Sequence, residues 1–192
     1  MSPKDLEGRK RMLQAALELM AESDDPDGIT IRQVAGRAGV GVGLINYHFQ
    51  NKENLFKKAI DLLIGDTSSQ WDRYPDATIA DPMERMKHIL KNNVHAALQN
   101  AKYMRIIIRY ELLQGDFVTS QALLPVLREI YGPQKSESEI RTLAFTLVTS
   151  LQVAFLREKA FRTYSGIKLD DPIQSDRLVE SLVNDLVSRR TE

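Results

Sequence analysis

Thr30 to Leu55 reads TIRQVAGRAGVGVGLINYHFQNKENL, and it carries the signals of two short helices joined by a tight turn. Thr30 with Gln33 three residues on is a capping box, in which each residue satisfies a free backbone N–H of the other. Ile31, Val34, Ala35 and Ala38 follow the i, i+3, i+4, i+7 rule and form one apolar face. Gly39 stands where the chain must turn at positive φ, which glycine adopts without a Cβ clash. A second short helix is expected from about Val42 to His48. Ala35 is small where the two helices cross, and Val34, Ala38, Val40 and Ile45 are expected to bury the inner faces. Asn51 suits the cap of a further helix, with Leu55, Ala59, Leu62 and Leu63 along one stripe.

The flanks also read as helix. Upstream, Ser2-Pro3 and Asp5 open a helix whose Leu6, Leu13, Leu17 and Met20 share a face, and the loop from Asp24 to Gly28 ends it. Downstream, Trp71 to Ile79, with Pro75 inside it, is the best boundary between domains. Asp81-Pro82 with Glu84 starts a helix to about Asn100. Another covers roughly Tyr103 to Leu113, and a third follows Gly115-Asp116 as far as Gly132-Pro133. Ser136 with Glu139 repeats the capping box and opens a long helix to about Phe161. A last helix begins after Asp171-Pro172. Runs with a period of two are absent, so the expected fold is all-α. A three-helix domain over 1–65, with its motif at 30–49, precedes a helical bundle over 66–192.

Bulk properties narrow the classes. A chain of 192 residues buries roughly 70% of its unfolded surface and needs no metal or disulfide to fold. It has no cysteine, which removes thiolate catalysis and cysteine-ligated zinc together. No apolar run such as Ile106-Ile107-Ile108 is long enough to span a bilayer, and no secretory signal is evident. A cytoplasmic protein with no membrane partner is expected. Its 26 basic and 26 acidic residues cancel, so a nucleic-acid case must rest on local charge and a motif. Between Gly28 and Ile60, Arg32, Arg37, Lys52, Lys57 and Lys58 stand against Glu53 alone.

Two short helices meeting at a glycine turn make a helix-turn-helix, whose second helix lies in the major groove of DNA with its N-terminal residues at base edges. The stretch strongly resembles the tetracycline-repressor (TetR) family of bacterial regulators. The residues that carry the likeness are Thr30, Ile31, Ala35, Ala38-Gly39-Val40, Gly43, Ile45, Tyr47-His48-Phe49, Lys52-Glu53 and Leu55. It covers about residues 5 to 65 at motif level and the remainder in helix pattern only.

The resemblance implies DNA contacts from Thr30, Val42, Gly43, Leu44, Asn46, Tyr47, His48 and Lys52, to which Arg32 adds positive charge. The Tyr47 hydroxyl, the His48 ring and the Lys52 ammonium suit phosphate oxygens, whereas Asn46 has the donor/acceptor pair to read adenine. Two positions depart from the family pattern. Gly41 stands where a serine usually caps the recognition helix, and Asn46 stands where tyrosine is frequent. The resemblance further implies a homodimer on a palindromic double-stranded operator, repression, and release by a small-molecule effector. Candidate dimer residues are Leu147, Leu151, Phe155, Leu178, Leu182 and Leu186. Candidate effector-pocket residues are Met86, His95, Tyr103, Tyr110 and Phe117.

Other readings are weaker. The run Gly39-x-Gly41-x-Gly43 follows a helix and lacks a Walker lysine, so it is no phosphate-binding loop. Glu84 and His88 share a helix face, but His95 lies about 10 Å further along, too far for both histidines to share an ion. No cofactor, no metal and no catalytic residues are expected. A helical enzyme lacks any supporting motif here, and a helical adaptor whose helix-turn-helix binds protein remains the second rival.

Overall fold

The computed structural model describes residues 3–23, 25, 28–71 and 79–187, and every long element among them is a helix. The expected cap Ser2, the loop residues Asp24, Pro26 and Asp27, and Pro75 lie outside the described residues. In chain order the helices are α1 (Pro3–Glu22), α2 (Ile31–Ala38), α3 (Val42–Phe49), α4 (Lys52–Trp71), α5 (Pro82–Gln99) and α6 (Ala101–Leu113). They continue with α7 (Val118–Ala122), α8 (Leu124–Tyr131), α9 (Glu137–Leu156), α10 (Glu158–Ser165) and α11 (Pro172–Val187). Two compact units result: residues 1–73 with 105–107, and residues 74–104 with 108–192. Helix α4 continues through residue 65.

In the first unit α1 packs on α2 and α4, and α3 bridges α2 and α4. Met12, Ala16, Leu17, Val34, Ala35, Ala38, Ile45, Phe49, Leu55, Ala59 and Ile60 are buried there. The expected inner faces of α2 and α3 hold, except that Val40 is half-buried. Two stripe assignments are corrected. Leu6 is 47% exposed and Leu62 50% exposed, so the buried stripe of α1 begins near Met12 and that of α4 runs through Leu55, Ala59 and Ile60.

The second unit is built on α5, α8, α9 and α11, whose shared core includes Met86, Leu90, Leu127, Tyr131, Ile140, Leu147, Val179 and Val183. Helix α9 is long and apolar enough, by length and composition, to cross a bilayer, but half of the qualifying stretch is buried in this core. The expectation of one helix from Gly115 to Gly132 becomes two. Leu123 separates α7 from α8, and Pro125 occupies the first turn of α8, where its missing N–H leaves no helical bond unmade. The long helix expected to reach Phe161 ends at Leu156, because Arg157 departs to φ −108°, ψ 33° before α10 starts.

Helix α7 has no capping side chain of its own. Its start is held instead by Glu111 of α6, whose carboxylate accepts from the Thr119 N–H at 2.7 Å and the Thr119 hydroxyl at 2.8 Å. Gln152 of α9 donates to the same carboxylate at 2.8 Å. Glu111 is only 5% exposed, so one buried acid ties three helices together and satisfies a helix N-terminus that would otherwise be open.

Candidate nucleic-acid interface

The start of α2 forms as its sequence dictates. Thr30 Oγ1 accepts from Gln33 N at 3.3 Å and Gln33 Oε1 accepts from Thr30 N at 2.8 Å. The Thr30 hydroxyl also donates to Gln33 Oε1 at 2.8 Å, so its proton is already used within the cap. At the other end Gly39 adopts φ 65°, ψ 38°, the left-handed conformation a helix needs to stop. There Val40 N–H reaches back to Ala35 O at 3.0 Å and closes the turn.

Helix α3 is anchored by Ile45 and Phe49, which are buried one turn apart. That spacing turns the opposite side outward. Val42, Gly43, Leu44, Asn46 and Tyr47 are exposed, Tyr47 most of all at 80%. Gly41 caps the helix at φ −74°, ψ 146° without a side-chain bond. The His48 ring stands edge-on to Tyr47 at 5.1 Å and is half-buried. Its Nε2 is buried with no hydrogen-bond partner among the described residues.

The passage from α3 to α4 takes two residues. Gln50 has φ 68°, ψ −49°, and Asn51 N–H bonds Phe49 O at 2.8 Å across it. This is a γ-turn of the rare, strained hand. Asn51 Oδ1 then accepts from Asn54 N at 2.8 Å and caps α4, as its position in the sequence implies. Lys52, the first residue of α4, is half-buried with its ammonium 5.8 Å from the centre of the Phe56 ring.

Charge on this surface differs from the sequence count. Arg32 is exposed, but Arg37 is engaged by Glu22 at 2.8 and 3.1 Å and by Glu18 at 3.4 Å. Its hydrogen bonds to Glu22, with the charge of the same carboxylate, raise the Arg37 pKa above its ordinary value. Arg37 therefore fastens α2 to α1 and adds little net field. Both partners are distant in sequence, so composition alone does not reveal them.

A helix-turn-helix with an outward apolar-polar face on its second helix is the geometry that decides the comparison. The sequence profile of the bacterial regulatory proteins, tetR family, matches residues 12–59, which spans α1 to α4. Over that segment the chain is similar to the tetR-family regulators. The chain is 28% identical over 97 residues to the HTH-type transcriptional regulator BetI 1 of Chromohalobacter salexigens, a match covering 50% of the chain and 48% of the relative. The match thus spans about half the length of that relative. Among solved structures, a TetR-like transcriptional regulator from Rhodococcus sp. RHA1 aligns with TM-score 0.64 at 15% identity, over 95% of this chain and 97% of the other. Thermus thermophilus FadR, a TetR-family transcriptional repressor in complex with lauroyl-CoA, aligns with TM-score 0.57 at 19% identity, over 90% and 93%. Identities of this size bear on the fold alone.

The other expected site residues fall in varied places in the second unit. Met86 is fully buried in the core, and His95 Nε2 lies 2.9 Å from Asp176 Oδ1 of α11. Tyr103 and Tyr110 are half-buried. Phe117 is 46% exposed and packs edge-on against Phe145 at 5.2 Å. Of the expected dimer residues, Leu147 and Phe155 are buried within their own chain, whereas Leu151, Leu178, Leu182 and Leu186 are half-buried. The outward apolar side chains of α9 are instead Phe145 and Val153, at 41% and 44% exposure.

Proposed function

We propose that this chain is a DNA-binding transcriptional regulator that inserts α3 into the major groove. The exposed face of Val42, Gly43, Leu44, Asn46 and Tyr47, mounted on the buried Ile45–Phe49 anchor, carries the reading. Asn46 reads a base edge, Val42 and Leu44 pack on thymine methyls, and Tyr47 and Lys52 hold phosphates. His48 joins them through its ring. Thr30 and Arg32 border the groove from the start of α2, Thr30 after its hydroxyl turns away from Gln33. The DNA-binding domain is taken as residues 1–65 and the remainder as the effector-binding and dimerisation domain.

Two copies acting on a palindromic operator would set their α3 helices about 34–36 Å apart or slightly more. The half-uncovered α9, with Phe145 and Val153 outward and Leu182 and Leu186 of α11 half-buried, supports a dimer seam on these two helices. Thr142, Thr146 and Ser150 turn their hydroxyls onto carbonyls of their own helix at 2.7–2.8 Å, which suits a dry helix–helix contact. Repression relieved by a small-molecule effector in the second unit, in the cytoplasm, completes the proposal. The lauroyl-CoA held by the structurally similar FadR supports that class of control.

Gel-shift titration of the full chain against DNA flanking its own gene tests the reading. Binding that weakens on every sequence in a Tyr47→Ala, Lys52→Ala double variant is expected, and unchanged affinity would refute their role. Sedimentation of Phe145→Asp should show monomer in place of dimer.

A further inference from the structure

Ion pairing inside the first unit removes cations that the sequence offers. Arg37 is held by Glu18 and Glu22, and Lys58 stands 3.8 Å from Asp61. A different base is then left beside α3. Helix α1 supplies one. A Cβ built on Gly8 would lie 3.9 Å from Leu44 Cδ2, so α1 and α3 come within van der Waals contact at that turn. The next residue, Arg9, is half-buried and places its guanidinium 5.8 Å from the centre of the Phe49 ring, at the last residue of α3. No carboxylate among the described residues pairs with it.

Resting on the reading of α3 above, we infer that Arg9 is a DNA-phosphate contact outside the helix-turn-helix. A guanidinium near an aromatic ring is oriented by it, yet keeps its N–H edge available for a bidentate anion. Gly8 and Arg9 flank α3 from Leu44 to Phe49, the length that would lie in the groove. A cation beside a helix in the groove meets the sugar-phosphate ridge bordering that groove. A partly desolvated charge with no anion of its own gains most when a phosphate supplies one. Arg9 thus takes the place that the sequence count gives to Arg37.

The test is fluorescence anisotropy of the full chain on a mixed-sequence duplex, with salt raised from about 50 to about 200 mM. Arg9→Gln should weaken binding at low salt and flatten the plot of log K against log salt by about 0.9 per protomer. Its deficit relative to wild type then narrows by about 3.5-fold per contact across that range. Arg9→Lys, which keeps the charge, should retain the wild-type slope. Arg9→Met keeps the apolar stem on Phe49 and guards against a folding artefact, so it must flatten the slope as well. Wild-type slopes in both Arg9→Gln and Arg9→Met would overturn the inference while leaving α3 in place. A wild-type chain that binds no duplex would overturn the α3 reading and this one with it.

Discussion

Replacing Gly39 with alanine isolates one backbone dihedral from everything around it. An alanine Cβ at this position would meet nothing within 4 Å, so neighbouring atoms contribute no penalty. What remains is the left-handed conformation, φ 65° and ψ 38°, which costs a residue with a Cβ about 1–2 kcal/mol. Gly36, inside the same helix, also faces open space but carries no positive φ. There the identical change gains helix propensity, about 1 kcal/mol. The same substitution three residues apart should therefore have opposite signs. Hydrogen–deuterium exchange of the peptide over residues 31–49, in the full chain, reads both. Gly39→Ala should exchange about 5- to 30-fold faster than wild type, and Gly36→Ala more slowly. Gly39→Asn should fall between, since asparagine tolerates this conformation better than alanine. Equal exchange in Gly39→Ala and wild type would refute the claim that the turn depends on glycine.

Three further outcomes follow from particular contacts. Tyr131→Phe removes the hydroxyl that donates to Val187 O at 2.7 Å and leaves a buried carbonyl unpaired, so it should cost about 1–3 kcal/mol, read as a lower thermal midpoint; an unchanged midpoint would show that the carbonyl finds another donor. Arg37→Ala should leave the salt dependence of DNA binding unchanged while lowering stability by at most about 1 kcal/mol, because its charge is already matched; a flattened salt plot would show that Arg37 reaches phosphate. Hydrogen bonds from Lys91 to Glu180, and from Arg128 to Glu137, hold both carboxyls below the ordinary glutamate value. Groups with depressed folded pKa values stabilise above their unfolded pKa and lose that contribution as pH falls. Urea midpoints should therefore drop below pH about 4, and less steeply in a Glu137→Gln, Glu180→Gln double variant; parallel curves would refute the assignment.

The parts of the fold legible in the sequence were those set by neighbouring residues. The capping boxes at Thr30 and Ser136, the Asp81-Pro82 start and the stop at Gly39 each form where the residues place them. Elements fixed by distant partners were not legible. Glu111 finds Thr119 and Gln152 only after three helices assemble, and nothing near it announces burial. The break at Arg157 has no glycine or proline to mark it, and Pro125, in the first turn of α8, lay inside a stretch read as one helix. At the candidate site the outward residues of α3 were those the family resemblance implies, and Ile45 was the inward residue read from the motif. The engagement of Arg37 and the approach of Arg9 required tertiary packing. Leu147 and Phe155, named as seam residues, are buried within their own chain, and a helix with hydrophobic residues on both sides gives no sequence signal of which its own chain covers.

The γ-turn at Gln50 makes the joint between α3 and α4 a short coupling with no play. A longer connector would let the groove-facing rod wobble while its neighbour stayed still. Here a single strained residue and the Asn51-to-Phe49 hydrogen bond fix the angle, so a rotation of α4 must swing Tyr47 with it. New base preferences are then open to change at the outward positions of α3, but an inserted residue at this joint would misaim them all.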